Sequence, residues 1–227
     1  VHTKLPDEVD VEDLMSAEPT IVDGPVDQPL TGRVQVRGLT VGYGSEAPVL
    51  KDINLDIAPG ETVVVVGRTG SGKTTLMRVL GRLLEAPPET VFVDGVALED
   101  LPLSDVRALF GYAPQDAFLF SRSLAENVAF GRPDARTADV ESAVQAAALD
   151  TDVRGFPERL ATMVGERGIT LSGGQRQRAT LARAIMMDAP ILLLDDTLSA
   201  VDAETEARII ESLQAPRKDG RRPSILM

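Results

Sequence analysis

A glycine-rich loop at residues 67–74 constrains the fold of this chain more than any other feature of the sequence. The loop reads GRTGSGKT, a full match to the pattern G-x-x-x-x-G-K-[ST] of loops that cradle phosphates. Residues 62–66 before it are a continuous β-branched run, which is typical of a strand buried on both faces. Residues 74–84 after it have helical periodicity. The order strand, glycine loop, helix predicts an α/β fold that binds a nucleoside triphosphate at the loop.

A second short motif, LSGGQ at residues 171–175, lies downstream of the loop. Together the loop and LSGGQ resemble the ATP-binding cassette (ABC) ATPases, and the resemblance extends from about Val34 to the last residue. It implies a P-loop (RecA-like) ATP-binding core of α/β class, with an antiparallel β subdomain and an α-helical subdomain at about residues 116–188. In that family LSGGQ caps the ATP held by a second cassette. The resemblance therefore implies that the working unit is a pair of cassettes.

Local patterns predict further elements of this core. Alternating apolar residues at 34–36 and 39–41 suggest a pair of short strands, which residues 53–57 continue. Ser123 and Glu126 form a capping box that predicts the start of a helix. Residues 175–187 are helical in pattern, and residues 191–194 are typical of a buried strand.

The glycine loop is predicted to bind ATP through main-chain N–H groups that converge on the phosphates at the start of the following helix. Lys73 should reach the β- and γ-phosphates, and the Thr74 hydroxyl should bind Mg²⁺. The resemblance implies that Tyr43 stacks on adenine and that Val49 lines the same face, although a tyrosine packed at a strand end is the alternative for Tyr43. The predicted nucleotide-binding residues are Tyr43, Val49, Gly67, Arg68, Thr69, Gly70, Ser71, Gly72, Lys73, Thr74 and Thr75.

Asp195 and Asp196 directly follow the predicted buried strand, in the Walker B pattern that delivers a carboxylate near Mg²⁺. The resemblance implies that Thr74, Gln115 and Asp195 bind the Mg²⁺ ion. It implies that Lys73, Gln115 and Asp196 are the catalytic ones. The family usually has glutamate where this chain has Asp196. The shorter side chain places its carboxylate about 1 Å short of the usual position, a displacement that can cost ~100-fold in rate. This departure resembles the slow, degenerate half of heterodimeric ABC exporters.

Two motifs are predicted to act on the ATP of the second cassette. A hydroxyl and bare N–H groups at a helix N-terminus make an anion site, and LSGGQ supplies both. The alternative for LSGGQ is a glycine-rich helix cap with no ligand. Residues 199–202 match the D-loop, which crosses the seam between cassettes in the family. The residues predicted to contact the partner's ATP are Ser172, Gly173, Gly174, Gln175 and Asp202.

Two further segments resemble the face that exporters turn toward their membrane domains. Residues 118–120, Phe-Leu-Phe, would either dock a membrane-domain helix or form a hydrophobic edge of the core. Residues 164–168 resemble a segment that senses the membrane domain.

The family's γ-phosphate histidine follows an apolar strand, and residues 224–227 resemble the start of that strand. The only histidine is His2, so we expect the chain to be truncated, or its ordered part to end, before this histidine loop.

Composition and charge limit the classes of function. Residues 1–30 are acidic and proline-containing, which predicts an extended linker that follows a missing transmembrane domain, and residues 31–227 should form the cassette. A formal net charge of −12 argues against a nucleic-acid surface. The absence of cysteine excludes disulfides and thiolate metal sites.

No apolar run approaches the roughly 20 residues that span a bilayer. We therefore expect a fragment that is soluble by itself and works at the cytoplasmic face of the cell membrane.

The sequence thus predicts an ATP-binding and ATP-hydrolysing cassette of an exporter-type ABC transporter. Its partners would be a non-identical second cassette and the transmembrane domains of both chains, and its cofactor Mg²⁺. Two alternatives remain open. One is a nucleotide-gated regulatory clamp with little hydrolysis at its own site. The other is a soluble ABC ATPase of DNA repair or translation, which the lack of long coiled-coil insertions and of tandem cassettes disfavours.

Overall fold

Two four-stranded sheets and seven α-helices form the framework of the described chain, which comprises residues 21–26, 30–44, 47–165, 170–217 and 220–227 of the computed structural model. The strands are β1 (Val34–Val41), β2 (Leu50–Ile57), β3 (Thr62–Val63), β4 (Val91–Val93), β5 (Val96–Ala97), β6 (Phe110–Ala113), β7 (Ile191–Leu194) and β8 (Ser224–Leu226). The helices are α1 (Lys73–Leu80), α2 (Leu103–Leu109), α3 (Leu124–Val128), α4 (Thr137–Ala146), α5 (Asp150–Gly155), α6 (Gly173–Met186) and α7 (Ala203–Gln214), with short 3₁₀ turns at Leu98–Asp100 and Arg159–Ala161.

The first sheet is antiparallel, with strand order β2-β1-β4-β5. The strand pair predicted within residues 34–41 is wrong, because this segment is one continuous strand, β1. Its pairing with β2 shifts register between Val36 and Leu39, where Gly38 has a φ of 57°. The irregularity moves the apolar alternation by one residue, so that Val36 and Leu39 are both buried in spite of their odd spacing.

The second sheet is parallel, with strand order β3-β8-β7-β6. Strand β7 is buried along its whole length, as predicted. The prediction that residues 62–66 form a strand buried on both faces is wrong: β3 covers only two residues, and Val64 and Val66 are 60% and 87% exposed. The physical reason is that β3 is the edge strand, paired on one side with the short β8. Beyond β3, the Val65 N–H group donates to the Met227 carbonyl oxygen at 2.6 Å.

Strand β7 separates two hydrophobic cores. Leu192 and Leu194 belong to a core that also contains residues of α4 and α6, whereas Ile191 and Leu193 belong to a core with α1 and the antiparallel sheet. Successive side chains of a strand point to opposite faces, so four consecutive apolar residues serve both cores. The helices that follow the glycine loop and LSGGQ therefore pack on opposite faces of one strand.

The helical part of the chain begins where the sequence predicts. Ser123 and Glu126 form the expected reciprocal capping box at the start of α3. Helix α6 runs Gly173–Met186, two residues earlier at its start than predicted. Helix α1 stops at Leu80, sooner than the predicted 84, because Gly81 ends it and Arg82 follows in a left-handed conformation with a φ of 50°. Among the described helices, none is both long and apolar enough to cross a bilayer.

Residues 21–26, which we call the N-terminal strap, lie against the cassette. The Gly24 N–H donates to the Leu101 carbonyl at 3.2 Å, and the Asp23 carboxylate accepts from the Leu103 N–H at the start of α2 at 2.8 Å. Arg82, 5% exposed, donates to the Val22 and Leu101 carbonyls at 2.8 and 3.0 Å. Part of the predicted linker at residues 1–30 therefore contacts the cassette; residues 1–20 and 27–29 lie outside the described residues.

Replacing Gly24 by alanine should detach the strap. An added Cβ would lie 2.0 Å from the Asp100 carbonyl carbon. The backbones would have to separate, which breaks the bonds from Gly24 and Val26 to residues 100 and 101. We expect a loss of about 2 kcal/mol in the free energy of unfolding, at ~1 kcal/mol for each bond, together with faster proteolysis near residue 24.

Gly155→Ala is the matched control, because an added Cβ there meets nothing within 4 Å. Denaturant titration and limited proteolysis of the two variants make the comparison. Equal cleavage rates for Gly24→Ala and the wild type would show that the strap is not held by these contacts.

Candidate functional site

A cavity of about 630 Å³ lies over the glycine loop, beside the carboxyl ends of β6 and β7. It brings together every predicted loop residue except Arg68, along with Val49, Gln115 and both aspartates that follow β7. Tyr43 and Arg68 are not among the residues that line it, and neither are the LSGGQ residues or Asp202. The lining residues are Val49, Val65, Val66, Gly67, Thr69, Gly70, Ser71, Gly72, Lys73, Thr74, Thr75, Gln115, Asp195 and Asp196.

The loop packs against β2 at Gly72, and its main chain surrounds the Lys73 ammonium group. Gly72 has a φ of 94°, and an added Cβ there would lie 2.7 Å from the Leu50 side chain. The Lys73 Nζ donates to the carbonyl oxygens of Gly67 and Arg68 at 2.9 and 3.3 Å. No side chain caps α1, whose first N–H groups lack partners within the helix. A cation and helix N–H groups at one cavity can together bind an anion such as a phosphate.

Asp195 is fixed at the floor of this cavity with 3% of its surface exposed. One carboxylate oxygen accepts from the Thr74 hydroxyl at 3.0 Å, and the other accepts from the Tyr112 hydroxyl at 3.3 Å. Thr74, Asp195 and the nearby Gln115 offer oxygen ligands, which Mg²⁺ prefers. Across the described parts of the chain, no three His, Cys, Asp or Glu side chains gather as a metal site. The donor set thus fits a Mg²⁺ ion that takes its other ligands from water and phosphates.

Tyr112 is a site residue that the sequence analysis missed. It belongs to β6, and burial together with the Asp195 carboxylate raises the pKa of Tyr112 to about 12. Arg78 of α1 interacts with both Tyr43 and Tyr112, and its hydrogen bond to Tyr43 is the main cause of the raised pKa of Arg78. No motif marks Tyr112; the available signal was its place three residues before Gln115, at the end of a strand.

The LSGGQ residues cap α6 away from the loop cavity. The Ser172 hydroxyl accepts from the Gln175 N–H at 3.2 Å, and the Gln175 side-chain oxygen accepts from the Ser172 N–H at 2.9 Å, which completes a second capping box. An added Cβ on Gly174 would lie 3.0 Å from the Ala200 carbonyl oxygen, so the motif lies beside the predicted D-loop. Asp202 caps α7, and hydrogen bonds from Thr205 lower the pKa of Asp202.

Comparison with known proteins decides the family. A family model described as ABC transporter matches residues 50–199. The chain belongs to the ABC transporter family. It is 44% identical over 205 residues to an uncharacterized ABC transporter ATP-binding protein of Bacillus subtilis, YwjA, covering 89% of this chain and 36% of YwjA. It is 45% identical over 188 residues to the ATP-dependent lipid A-core flippase of Neisseria gonorrhoeae, covering 82% of this chain and 30% of the flippase.

A solved structure shares the fold of this ABC cassette. It is a bacterial Atm1-family ABC exporter with ATP bound, with a TM-score of 0.85 and 31% identity, covering 94% of this chain and 37% of that chain. The chain spans about a third of the length of these relatives. The similarity confirms the predicted fold class, an ABC ATPase fold with an antiparallel sheet and a helical part, and its resemblance to exporter cassettes.

Val49 and Tyr43, the two residues predicted to contact adenine, differ in their relation to the cavity of the ABC cassette. Val49, 38% exposed, lines it. Tyr43 is 39% exposed and its hydroxyl bonds to the Thr75 hydroxyl at 3.2 Å. Its stacking on adenine stays a prediction. Asp196, the departure from the family pattern, is exposed at the cavity with a φ of 51°.

An aromatic surface lies on the helical part of the ABC cassette. Phe120 stacks on Phe130 with ring centres 4.5 Å apart, and the Arg183 guanidinium lies 5.7 Å from each ring centre. Phe118 is 62% exposed, whereas Leu119 packs against the core. Residues 166–168 of the predicted membrane-sensing segment 164–168 lie outside the described residues.

The phenol of Tyr112 should make stability depend on alkaline pH. Its pKa in the folded cassette is about 12, above the ordinary 10.0, so the neutral form is favoured by folding. The stabilisation of the folded state by the neutral Tyr112 phenol is complete below pH 10 and is lost as the pH rises from 10 to 12. We expect the free energy of unfolding of Tyr112→Phe to decline less than that of the wild type across this range.

Denaturant titrations at a series of alkaline pH values measure the decline. Tyr43→Phe is the matched control, because it removes the other phenol of the chain and keeps the contact between Tyr112 and Asp195. A Tyr112→Phe variant that keeps the full decline would contradict the assignment.

Proposed function

We propose that this ABC cassette binds and hydrolyses ATP and drives transport across a membrane by closing head-to-tail on a second cassette. The observation that carries the proposal is the separation of its two anion-binding groups. The loop shares one cavity with Gln115 and Asp195, whereas LSGGQ caps α6 outside that cavity. A phosphate bound at the loop would therefore meet LSGGQ only from another cassette. The similarity to an exporter with ATP bound supports the choice of nucleotide.

Each residue of the cavity has a role in this proposal. Lys73 would exchange its two carbonyl partners for oxygens of the β- and γ-phosphates. Thr74, Asp195 and Gln115 would hold Mg²⁺, which neutralises charge on those phosphates. Asp196 and Gln115 would orient the water that attacks the γ-phosphorus. As the water oxygen bonds to that phosphorus, a water proton would pass to the Asp196 carboxylate, the bond from the phosphorus to the β–γ bridging oxygen would break, and ADP would leave with the electron pair.

The partners in this proposal are membrane domains and a second cassette. The matched relatives are more than twice as long as this chain, and their names include a flippase and an exporter. The exposed Phe118 and Phe130 offer an apolar surface on which a membrane-domain helix would dock. ATP must then favour the closed pair over the open one, and the membrane domains convert closure into transport. The cassette would work at the cytoplasmic face of the cell membrane.

The second cassette would be a different chain. Asp196 lies at the cavity but has a shorter side chain than the glutamate usual in the family, which supports slow hydrolysis at this loop. A non-identical partner with glutamate would hydrolyse its ATP against the LSGGQ of this chain. The same observation supports a second candidate, a nucleotide-gated clamp that hydrolyses little ATP at its own site.

Lys73→Ala should abolish tight nucleotide binding. Hydrogen bonds to charged groups contribute ~1.5–3 kcal/mol, so we expect the Kd for Mg·ATP to rise about tenfold or more. Lys51→Ala, at an exposed position on β2, removes the same charge away from the cavity and should bind as the wild type does. Equal affinity of the Lys73 variant, measured by titration calorimetry, would exclude the loop as the ATP site.

Asp196→Glu should raise ATP turnover of the assembled pair, by up to ~100-fold if carboxylate position is limiting. The pair is captured from solubilised membranes through a tag on this chain, and mass spectrometry identifies what accompanies it. A stoichiometric second ABC chain with glutamate at this position is expected. Asp134→Glu, at an exposed position that does not line the cavity, is the control. Recovery of this chain alone as an ATP-hydrolysing dimer would contradict the non-identical partner, and unchanged turnover would contradict the role of Asp196.

A further inference from the structure

We propose that Asp152 is a positioning residue for LSGGQ, which holds the first turn of α6 in the orientation that closes on the ATP of the second cassette. This inference rests on the proposed function and extends it to a residue outside every motif of the sequence. Asp152 lies on α5, in the helical part, and does not line the loop cavity.

The Asp152 carboxylate joins two residues of α6. One oxygen accepts from the Gln175 side-chain nitrogen at 2.9 Å, and the other accepts from the Arg178 guanidinium at 2.8 Å. Gln175 and Arg178 are three residues apart and so lie on one face of the helix. The side chains of Asp152 and Arg178 are 24% and 15% exposed, so solvent screens this ion pair less than a surface pair.

A carboxylate at this position decides how the Gln175 amide is turned. Asp152 can only accept hydrogen bonds, so the NH₂ end of the amide must face it. The oxygen end then faces the Ser172 N–H, from which it accepts at 2.9 Å. The opposite orientation would set the amide oxygen against the carboxylate and the NH₂ group against an N–H donor. Asp152 thereby fixes the second capping box, and with it the Ser172 side chain at the helix N-terminus.

Arg178 extends the same support to the neighbouring helices. Its guanidinium also donates to the Ala148 carbonyl at 2.6 Å, just after α4, and to the Gly174 carbonyl at 3.3 Å. Ala148 has a φ of 52°, typical of a residue that ends a helix. The Asp152–Arg178 pair therefore connects the start of α6 to the turn between α4 and α5. Movement of the helical part would carry LSGGQ with it.

The test distinguishes ATP binding at this chain's own loop from the action of LSGGQ on the ATP of the second cassette. The assembled pair is prepared with Asp152→Ala or Asp152→Asn. Two quantities are measured: labelling of this chain's loop by a photoreactive ATP analogue, and steady-state turnover of the pair. For Asp152→Ala we expect half-maximal labelling within about twofold of the wild type and kcat about tenfold lower, since small misplacements in a site are costly. Asp152→Asn, which keeps one acceptor oxygen, should be intermediate.

Asp139→Ala is the matched control, because it removes an aspartate that pairs with Arg136 in the same helical part and should leave both quantities unchanged. Thermal denaturation compares the folding of all variants; if Asp152→Ala does not fold, Asp152→Asn decides. Wild-type kcat in the folded Asp152 variants would overturn the inference. A parallel loss of labelling and kcat would also overturn it, because Asp152 would then support the whole cassette. A wild-type pair with no ATP turnover would instead overturn the proposed function.

Discussion

The rest of the structure depends on strand β7, four apolar residues buried on both faces and followed by a buried carboxylate. Ile191 and Leu193 belong to the core that contains α1, and Leu192 and Leu194 belong to the core that contains α6. The helix behind the phosphate loop and the helix behind LSGGQ are therefore supported by opposite faces of one strand. Because interiors are close-packed, a displacement of this strand would be felt by both helices. The same strand delivers Asp195 to the cavity, so its packing also determines where a metal ion could sit.

Helix α1 connects the cavity to the segment that precedes the cassette. Its first residues line the cavity, and Thr74 bonds to Asp195 at 3.0 Å. Directly after its end, the buried Arg82 holds the strap through the Val22 carbonyl. An eight-residue helix thus lies between the loop of the proposed ATP site and the N-terminal strap. Four of its residues, Leu76, Met77, Val79 and Leu80, are buried in one core, which gives the helix little freedom to respond at one end only.

Sequence reasoning found what local patterns encode. The loop, the Ser123–Glu126 capping box and the buried strand β7 each depend on residues within a few positions of one another, and each occurs where the pattern predicts. The failures have long-range causes. The register shift in β1 depends on its pairing with β2, and the exposure of Val64 and Val66 depends on which strands flank β3. Tyr112 meets Asp195 across 83 positions, and Arg82 meets Val22 across 60. No periodicity within one segment carries such contacts.

The contacts of Gln175 also bear on what LSGGQ offers to a nucleotide. The sequence predicts that Gln175 contacts the partner's ATP, yet both ends of its amide are engaged within the chain, one with Ser172 and one with Asp152. Turning this side chain toward a phosphate would break a hydrogen bond to a carboxylate, a type that contributes ~1.5–3 kcal/mol, and would undo the capping box. The Ser172 hydroxyl accepts one bond and still has a proton to donate, and helix N-termini present main-chain N–H groups. An anion approaching this end of α6 would thus gain most from Ser172 and the glycine backbone. Gln175 would contribute by keeping them in place.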